Sequence, residues 1–293
     1  MQHITVLLKE AVEKLALTSE SIVVDATFGA GGHAKEIIER LGRKGTYIGI
    51  DADATAFTDH NLEAAQATTH LVTDNFKNIT EILRSLHITH TDAILADLGW
   101  RQDQFTDGGK GFSFMNDEPL QMTFGEPSKY DYTAYDIVNS WAEASIADII
   151  FGYGEERAAR KIAQAIVMRR KHGPIKTTKE LVECIESVVR RDKKSKINPA
   201  TKTFQALRIA VNDELSVLEI FLKDSFISLR PGGRMSIISF HSLEDRVVKQ
   251  YFKTLVQADL AKPITKKPIT PSSVELANNP RARSAKLRVI EKI

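Results

Sequence analysis

Across 293 residues, 40 Lys plus Arg stand against 38 Asp plus Glu, a formal net charge of +2, with 42% apolar and 27% charged side chains. That composition excludes a polybasic tail protein and a disordered chain, and predicts real hydrophobic cores. The near-neutral total hides an asymmetry: residues 1–168 hold 14 basic and 25 acidic side chains, residues 169–293 hold 26 and 13. The later part therefore offers a basic surface to a polyanion, unless its charges merely solvate helical faces. The one cysteine, Cys184, excludes an intrachain disulfide or a cysteine-cluster zinc site and reads as a small buried hydrophobe. Lys9, Glu10, Glu13 and Lys14 interrupt the opening apolar residues, and no segment reaches roughly 18 apolar residues. A soluble, cytoplasmic protein without membrane contact is expected.

In chain order, residues 5–17 place Leu8, Val12 and Leu15 on one helical face. Ser21 to Asp25 reads as a short buried strand that runs into the turn Thr27-Phe28-Gly29-Ala30-Gly31-Gly32, followed by a helix from His33 to Leu41 and a second strand from Gly45 to Asp51. His70 to Thr73 and Asp92 to Asp97 are further strands, alternating with helical segments, so the sheet is expected to be parallel and doubly wound. Between about Phe105 and Pro199 no comparable strand pattern occurs. Helical signals take over there, including Arg157 to Arg170 and Thr177 to Arg191, the latter opening on the capping-box spacing Thr177-x-x-Glu180. Phe204, Leu207, Val211, Leu215, Leu218 and Leu222 predict one long helix that ends before Leu229. Arg234 to Phe240 returns to the sheet, a helix spans Leu243 to Leu255, and Lys262 to Thr270 and Leu287 to Ile290 are closing strands. The expected fold is α/β, a Rossmann-like sheet in two parts, residues 1–104 and 201–293, interrupted by an all-helical insertion at 105–200.

A strand, a glycine turn and a helix start together suit an adenosine cofactor, because glycine lets backbone approach the ligand and an acid ending the next strand can take ribose hydroxyls. Asp51, twenty-two residues after Gly29, is placed for that task. Gly29 to Ala34 formally satisfies the dinucleotide pattern G-x-G-x-x-A, whereas Asp25, four residues before the first glycine, favours S-adenosylmethionine, whose cationic end tolerates a carboxylate. Asp97-Leu98-Gly99-Trp100 after the fourth strand resembles the motif of amine methyltransferases. There Asp97 would accept a hydrogen bond from the amine and Trp100 would hold the base; a loop-capping Asp and a core Trp are the plain alternatives.

Longer blocks add Gly111-Phe112-Ser113-Phe114, Tyr153-Gly154-Glu155-Glu156-Arg157, Phe204 to Leu215 (FQALRIAVNDEL), Ser239 to Arg246 (SFHSLEDR) and Asn279 to Arg288 (NPRARSAKLR). With His3 to Leu8 and Gly29 to His33, they resemble the bacterial 16S ribosomal RNA cytosine-N4 methyltransferase family, RsmH or MraW, almost end to end. The resemblance implies a methyltransferase sheet with a helical insertion, S-adenosylmethionine as methyl donor, and as substrate a decoding-centre cytidine of 16S rRNA, within the small ribosomal subunit. The family's cofactor contacts fall on Gly31, Gly32, His33, Asp51, Phe76, Asp97 and Gln104, each with the matching residue type. Starting a helix, His33 suits a cap or cofactor positioning better than proton transfer. The substrate side departs from the family: Trp100, Arg101 and Gln102 replace a small apolar residue and two serines, and Pro119-Leu120-Gln121-Met122-Thr123 lacks the usual aspartate and arginine. Arg208, Asn212, His241, Arg281, Arg283 and Lys286 are the candidates for RNA contact, and no metal is expected. Competing readings are an RNA-binding or ribosome-assembly protein without methylation, a methyltransferase for another amine such as a DNA base, and, more remotely, a nicotinamide oxidoreductase.

Overall fold

The computed structural model describes residues 4–58, 66–98, 109–190 and 198–293. They form two compact units, one of Met1–Trp100 with Leu215–Ile293, the other Arg101–Glu214.

The first unit is built on a seven-stranded sheet: β1 (Ile22–Asp25), β2 (Thr46–Asp51), β3 (Thr68–Thr73), β4 (Thr91–Asp97), β5 (Leu229–Ser239), β6 (Ala261–Pro263) and β7 (Lys286–Lys292), in the spatial order β3-β2-β1-β4-β5-β7-β6. The first five are mutually parallel, whereas β7 runs antiparallel to β5 and β6. Apolar residues fill β1 and β4 on both faces, as a central parallel strand requires. Successive side chains alternate between two cores: Val24, Ile48 and Ile94 join Phe221 and Phe252 on one face, while Val23, Tyr47 and Leu95 join Val12 and Ile37 on the other. The closing strand expected from Lys262 to Thr270 shrinks to Ala261–Pro263, with Ile269 bridging Leu287, because Pro263 and Pro268 have no amide to give a ladder.

Helices α1 (Leu8–Glu13), α2 (Gly32–Ile38) and α3 (Ile79–Ser85) belong to this unit. The helical unit holds α4 (Ala134–Ser140), α5 (Glu143–Gly154), α6 (Ala159–Arg169), α7 (Thr178–Glu186) and α8 (Thr201–Asn212) around its own core of Ile137, Ile150, Ile162, Leu181 and Leu207. Among its described residues there is no strand beyond the single bridge Pro119 to Thr177. The Thr177 hydroxyl caps α7 and the Glu180 carboxylate returns to the Thr177 amide, the reciprocal box that the spacing predicts. Cys184 is buried there, and burial pushes its thiol up against the opposing pull of Arg169.

The long helix expected from Phe204 to Leu222 is in fact two, α8 and α9 (Glu214–Ser228), because Asp213 takes a left-handed backbone with φ 48°. A single left-handed aspartate leaves the apolar spacing intact, so periodicity does not reveal it. Phe204, Leu207 and Val211 pack in the helical core, and the chain divides at 214/215 rather than at the expected 200/201. In the other unit follow α10 (Ser242–Gln257) and α11 (Ser273–Asn278). Among the described residues no helix is long and apolar enough to cross a membrane.

Candidate cofactor and RNA sites

The carboxyl ends of β1, β2 and β4 meet where strand order reverses about β1, the place at which open α/β sheets bind ligands. Gly29 and Gly31 take left-handed backbones, φ 56° and 69°, and Gly31 is the N-cap of α2. A Cβ on Gly32 would run into the Thr5 hydroxyl, so the opening segment seals the turn from one side. His33 lies within α2 instead of capping it. Its ring is buried, and Nδ1 stands 3.9 Å from the Asp97 carboxylate.

Each acid at a strand end has a defined duty. Asp25 is fully buried, accepts from the Tyr47 hydroxyl at 2.9 Å, and is pushed up to about 6 by burial, against the lowering effect of its bonds to Tyr47 and the Thr27 amide. Asp51 accepts from the Gly29 amide through Oδ2 and from the Asp53 amide through Oδ1, both at 2.9 Å. These two bonds fix the orientation of the carboxylate at the end of β2. The Asp97 amide donates to the Thr27 hydroxyl at 2.7 Å, which ties the end of β4 to the glycine turn. Phe76, half-buried, meets the buried Phe221 edge-on at 4.9 Å between ring centres. Trp100 and Gln104 lie outside the described residues. Tyr47 and Thr27 were not singled out as functional from sequence: the Tyr47 bond spans 22 positions and the Thr27 bond 70, and neither leaves a local spacing signal.

This cradle fits S-adenosylmethionine: left-handed glycines open the turn to the ligand, and the acids Asp25, Asp51 and Asp97 at the strand ends suit a cofactor whose sulfonium is cationic rather than an anionic pyrophosphate. Fold and site together define an S-adenosylmethionine-dependent methyltransferase of Rossmann-like architecture. The chain belongs to the MraW methylase family, which it matches over residues 1–293. Ribosomal RNA small subunit methyltransferase H of Clostridioides difficile (strain 630) is 42% identical over 311 residues, covering 99% of this chain and 99% of the relative. The protein of that name from Caldicellulosiruptor saccharolyticus is 44% identical over 308 residues, covering 100% and 99%. Among solved structures, an rRNA methylase from Streptococcus thermophilus aligns over 100% of this chain and 99% of its own at 13% identity and a TM-score of 0.48.

Four of the six RNA candidates are occupied within their own unit. Arg208 grips Glu214 through Nε and Nη2 at 2.8 and 3.0 Å. Asn212 accepts from the Phe124 amide at 3.0 Å and donates to the Met122 carbonyl at 2.7 Å. His241 is the N-cap of α10 in a capping box with Glu244. Lys286 pairs with Asp245 at 3.0 Å, beside Arg288. Burial tends to raise the Asp245 carboxyl, but its bonds to Arg288 and Lys286 outweigh that and hold it below the ordinary value. Arg281 and Arg283 differ. Asn279 anchors their short 3-10 helix by donating to the Ile4 carbonyl at 3.0 Å, Ala282 and Ala285 are buried, and both guanidinium chains are exposed.

Several of the quoted blocks prove structural. Gly111, at φ 78°, leaves no room for a Cβ against the Pro119 carbonyl, Phe112 stacks on Phe124 at 5.4 Å, and Phe114 meets Phe204 edge-on. In the altered segment Met122 and Thr123 are fully buried, and the Thr123 hydroxyl donates to the Gly125 carbonyl at 3.0 Å. A guanidinium placed at that position would have to be buried, so the uncharged threonine suits its surroundings.

Proposed function

We propose that this protein transfers a methyl group from S-adenosylmethionine to the N4 amine of a cytidine in 16S rRNA of the small-subunit decoding centre. Full-length membership of the MraW methylase family, with a braced acid at the end of β4, is the observation that carries the proposal. The relatives are named for small-subunit ribosomal RNA methylation and align end to end.

S-adenosylmethionine supplies an activated methyl group on a sulfonium; the chain supplies position. Gly31 and Gly32 admit the cofactor's methionyl part, Asp51 takes the ribose hydroxyls and Phe76 packs on adenine. Asp97 accepts a hydrogen bond from the exocyclic amine and orients it, with Trp100 as the platform for the base. Gln104 and His33 complete the cofactor contacts. Thr27 fixes the backbone of Asp97, so the acceptor does not have to be ordered when substrate arrives. Once methylated, the amine is acidic enough to lose its proton without a general base of raised pKa. Arg281 and Arg283 hold RNA phosphate.

The test is mass spectrometry of nucleosides from 16S rRNA of cells with the gene, without it, and with Asp97→Ala. N4-methylcytidine is expected to vanish in the last two. An unchanged level without the gene would remove the enzyme reading, and loss of methylation on another base would remove the cytidine.

A further inference from the structure

The helical unit carries a concave site of about 660 Å³ between the end of α5 and the start of α6. Its floor is made of alanines and its walls of Phe151, Arg157, Arg160 and Lys161, with Asp148 the acid among the lining residues. Three features set it apart from an ordinary solvated face.

Phe151 is 65% exposed, on a helix whose Ile146 and Ile150 are fully buried. An aromatic ring left in water beside a cavity serves no packing purpose in this unit. Arg157, Arg160 and Lys161 are all exposed, and among the described residues none of them has a carboxylate within ion-pair distance. Third, Arg160 and Lys161 occupy the first turn of α6, which has no acid in that turn and whose N-cap, Ala158, offers no side-chain cap. Cations at the positive end of a helix oppose its dipole; the acid at this end is Glu156, whose carboxylate accepts from the Ala158 amide at 2.8 Å, while Arg157, Arg160 and Lys161 stay in solvent. Three exposed basic side chains around one small cavity concentrate positive potential for an anion.

A flat ring next to three cations matches the chemistry of a single-stranded nucleic acid, whose bases stack and whose phosphates are anionic. We propose that this cavity binds a single-stranded segment of the RNA substrate. One base stacks on Phe151, adjacent phosphates lie on Arg157, Arg160 and Lys161, and Asp148 accepts from an exocyclic amine or ribose hydroxyl. The inference rests on the RNA reading above and extends it to a second, non-catalytic contact. The Tyr153 to Arg157 block is thereby divided: Gly154 cannot carry a Cβ against the Lys202 carbonyl, Glu155 ends the helix at φ 49°, Glu156 accepts from the Ala158 amide at 2.8 Å, and only Arg157 faces the cavity.

The experiment measures binding of purified 16S rRNA to the full-length protein over a potassium chloride series, with S-adenosylhomocysteine affinity and thermal unfolding measured in parallel. The triple variant R157Q/R160Q/K161Q is expected to lower the slope of log affinity against log salt by about 2, at roughly 0.7 for each single-strand phosphate lost. Phe151→Ala is expected to weaken RNA binding roughly tenfold with the slope unchanged, and Phe151→Trp to restore it. Thermal unfolding and S-adenosylhomocysteine affinity stay at wild-type values in all three. Wild-type RNA affinity and slope in both the triple variant and Phe151→Ala would overturn the inference, and so would loss of a protein partner's binding alone. If the wild-type protein itself neither binds nor methylates the RNA, the underlying RNA reading fails, and this contact with it.

Discussion

The Tyr47 hydroxyl donates to Oδ2 of Asp25 at 2.9 Å with both side chains fully buried. The acid that precedes the glycine turn is thus held from the neighbouring strand, and it holds the Thr27 amide in its turn at 3.3 Å. Since the Thr27 hydroxyl accepts from the Asp97 amide, the ends of β1 and β4 and the body of β2 are joined through these side chains.

Asp25 gives the protein a pH-dependent stability. Its carboxyl lies at about 6 in the fold, above the ordinary value of 3.8. The folded state therefore retains a proton that the unfolded chain has released. The stabilisation is complete below the unfolded value and is lost as pH rises through about 6. Asp25→Asn is expected to be more stable than the wild type at neutral pH by ~3 kcal/mol, an order-of-magnitude figure, with the two converging at about pH 4. Urea unfolding across that range checks it, and a difference independent of pH would count against the assignment.

Gly32→Ala should both destabilise the protein and weaken cofactor binding, because the new methyl meets the Thr5 side chain at the first turn of α2. Overpacking of this kind costs about 1–3 kcal/mol. Adding Thr5→Ala should recover part of that loss, since it removes the hydroxyl and methyl that the new Cβ meets. Thermal unfolding of the two single variants and the double gives the coupling, and simple additivity would show that the two sites are not in contact.

Asn212 is expected to matter for stability before it matters for RNA. It clamps Met122, whose left-handed backbone at φ 57° is strained for a non-glycine residue, through the Met122 carbonyl and the Phe124 amide. Asn212→Ala removes both bonds, and at about 1 kcal/mol each, more where a buried group is left unsatisfied, a loss of roughly 2–3 kcal/mol follows. Guanidinium chloride unfolding measures it. A variant of unchanged stability with weakened RNA binding would return Asn212 to the RNA surface.

Arg281→Ala with Arg283→Ala should leave stability unchanged, since both side chains are exposed, while lowering RNA affinity more at low salt than at high salt. Titration over a salt series with a thermal-unfolding control reads both effects. Identical affinity curves would take this 3-10 helix out of the interface.

The cofactor half of the molecule was the more legible from sequence. A strand, its glycine turn and the acid ending the next strand form one pattern, so Gly31, Gly32 and Asp51 stand out as candidates within a single stretch of about one βαβ unit. The RNA half was less legible, because a basic residue looks alike in sequence whether it meets phosphate or a carboxylate. Arg208 and Lys286 found Glu214 and Asp245, partners six and 41 positions away. Arg160 and Lys161, in the acidic first part of the chain and beside the exposed Phe151, carried no motif at all.

Apolar periodicity, glycine placement and the terminal acids determined an α/β sheet with a helical insertion and an adenosine-type turn, since each depends on residues within about one element of each other. Only the tertiary structure decided that Asp213 breaks the long helix and moves the boundary to 214/215, that Asp25 is paired with Tyr47, and that Thr27 steadies Asp97. Those outcomes depend on which side chains meet across the sheet or within the helical core, and burial sets the proton affinity of Asp25 only after the strands around it have closed.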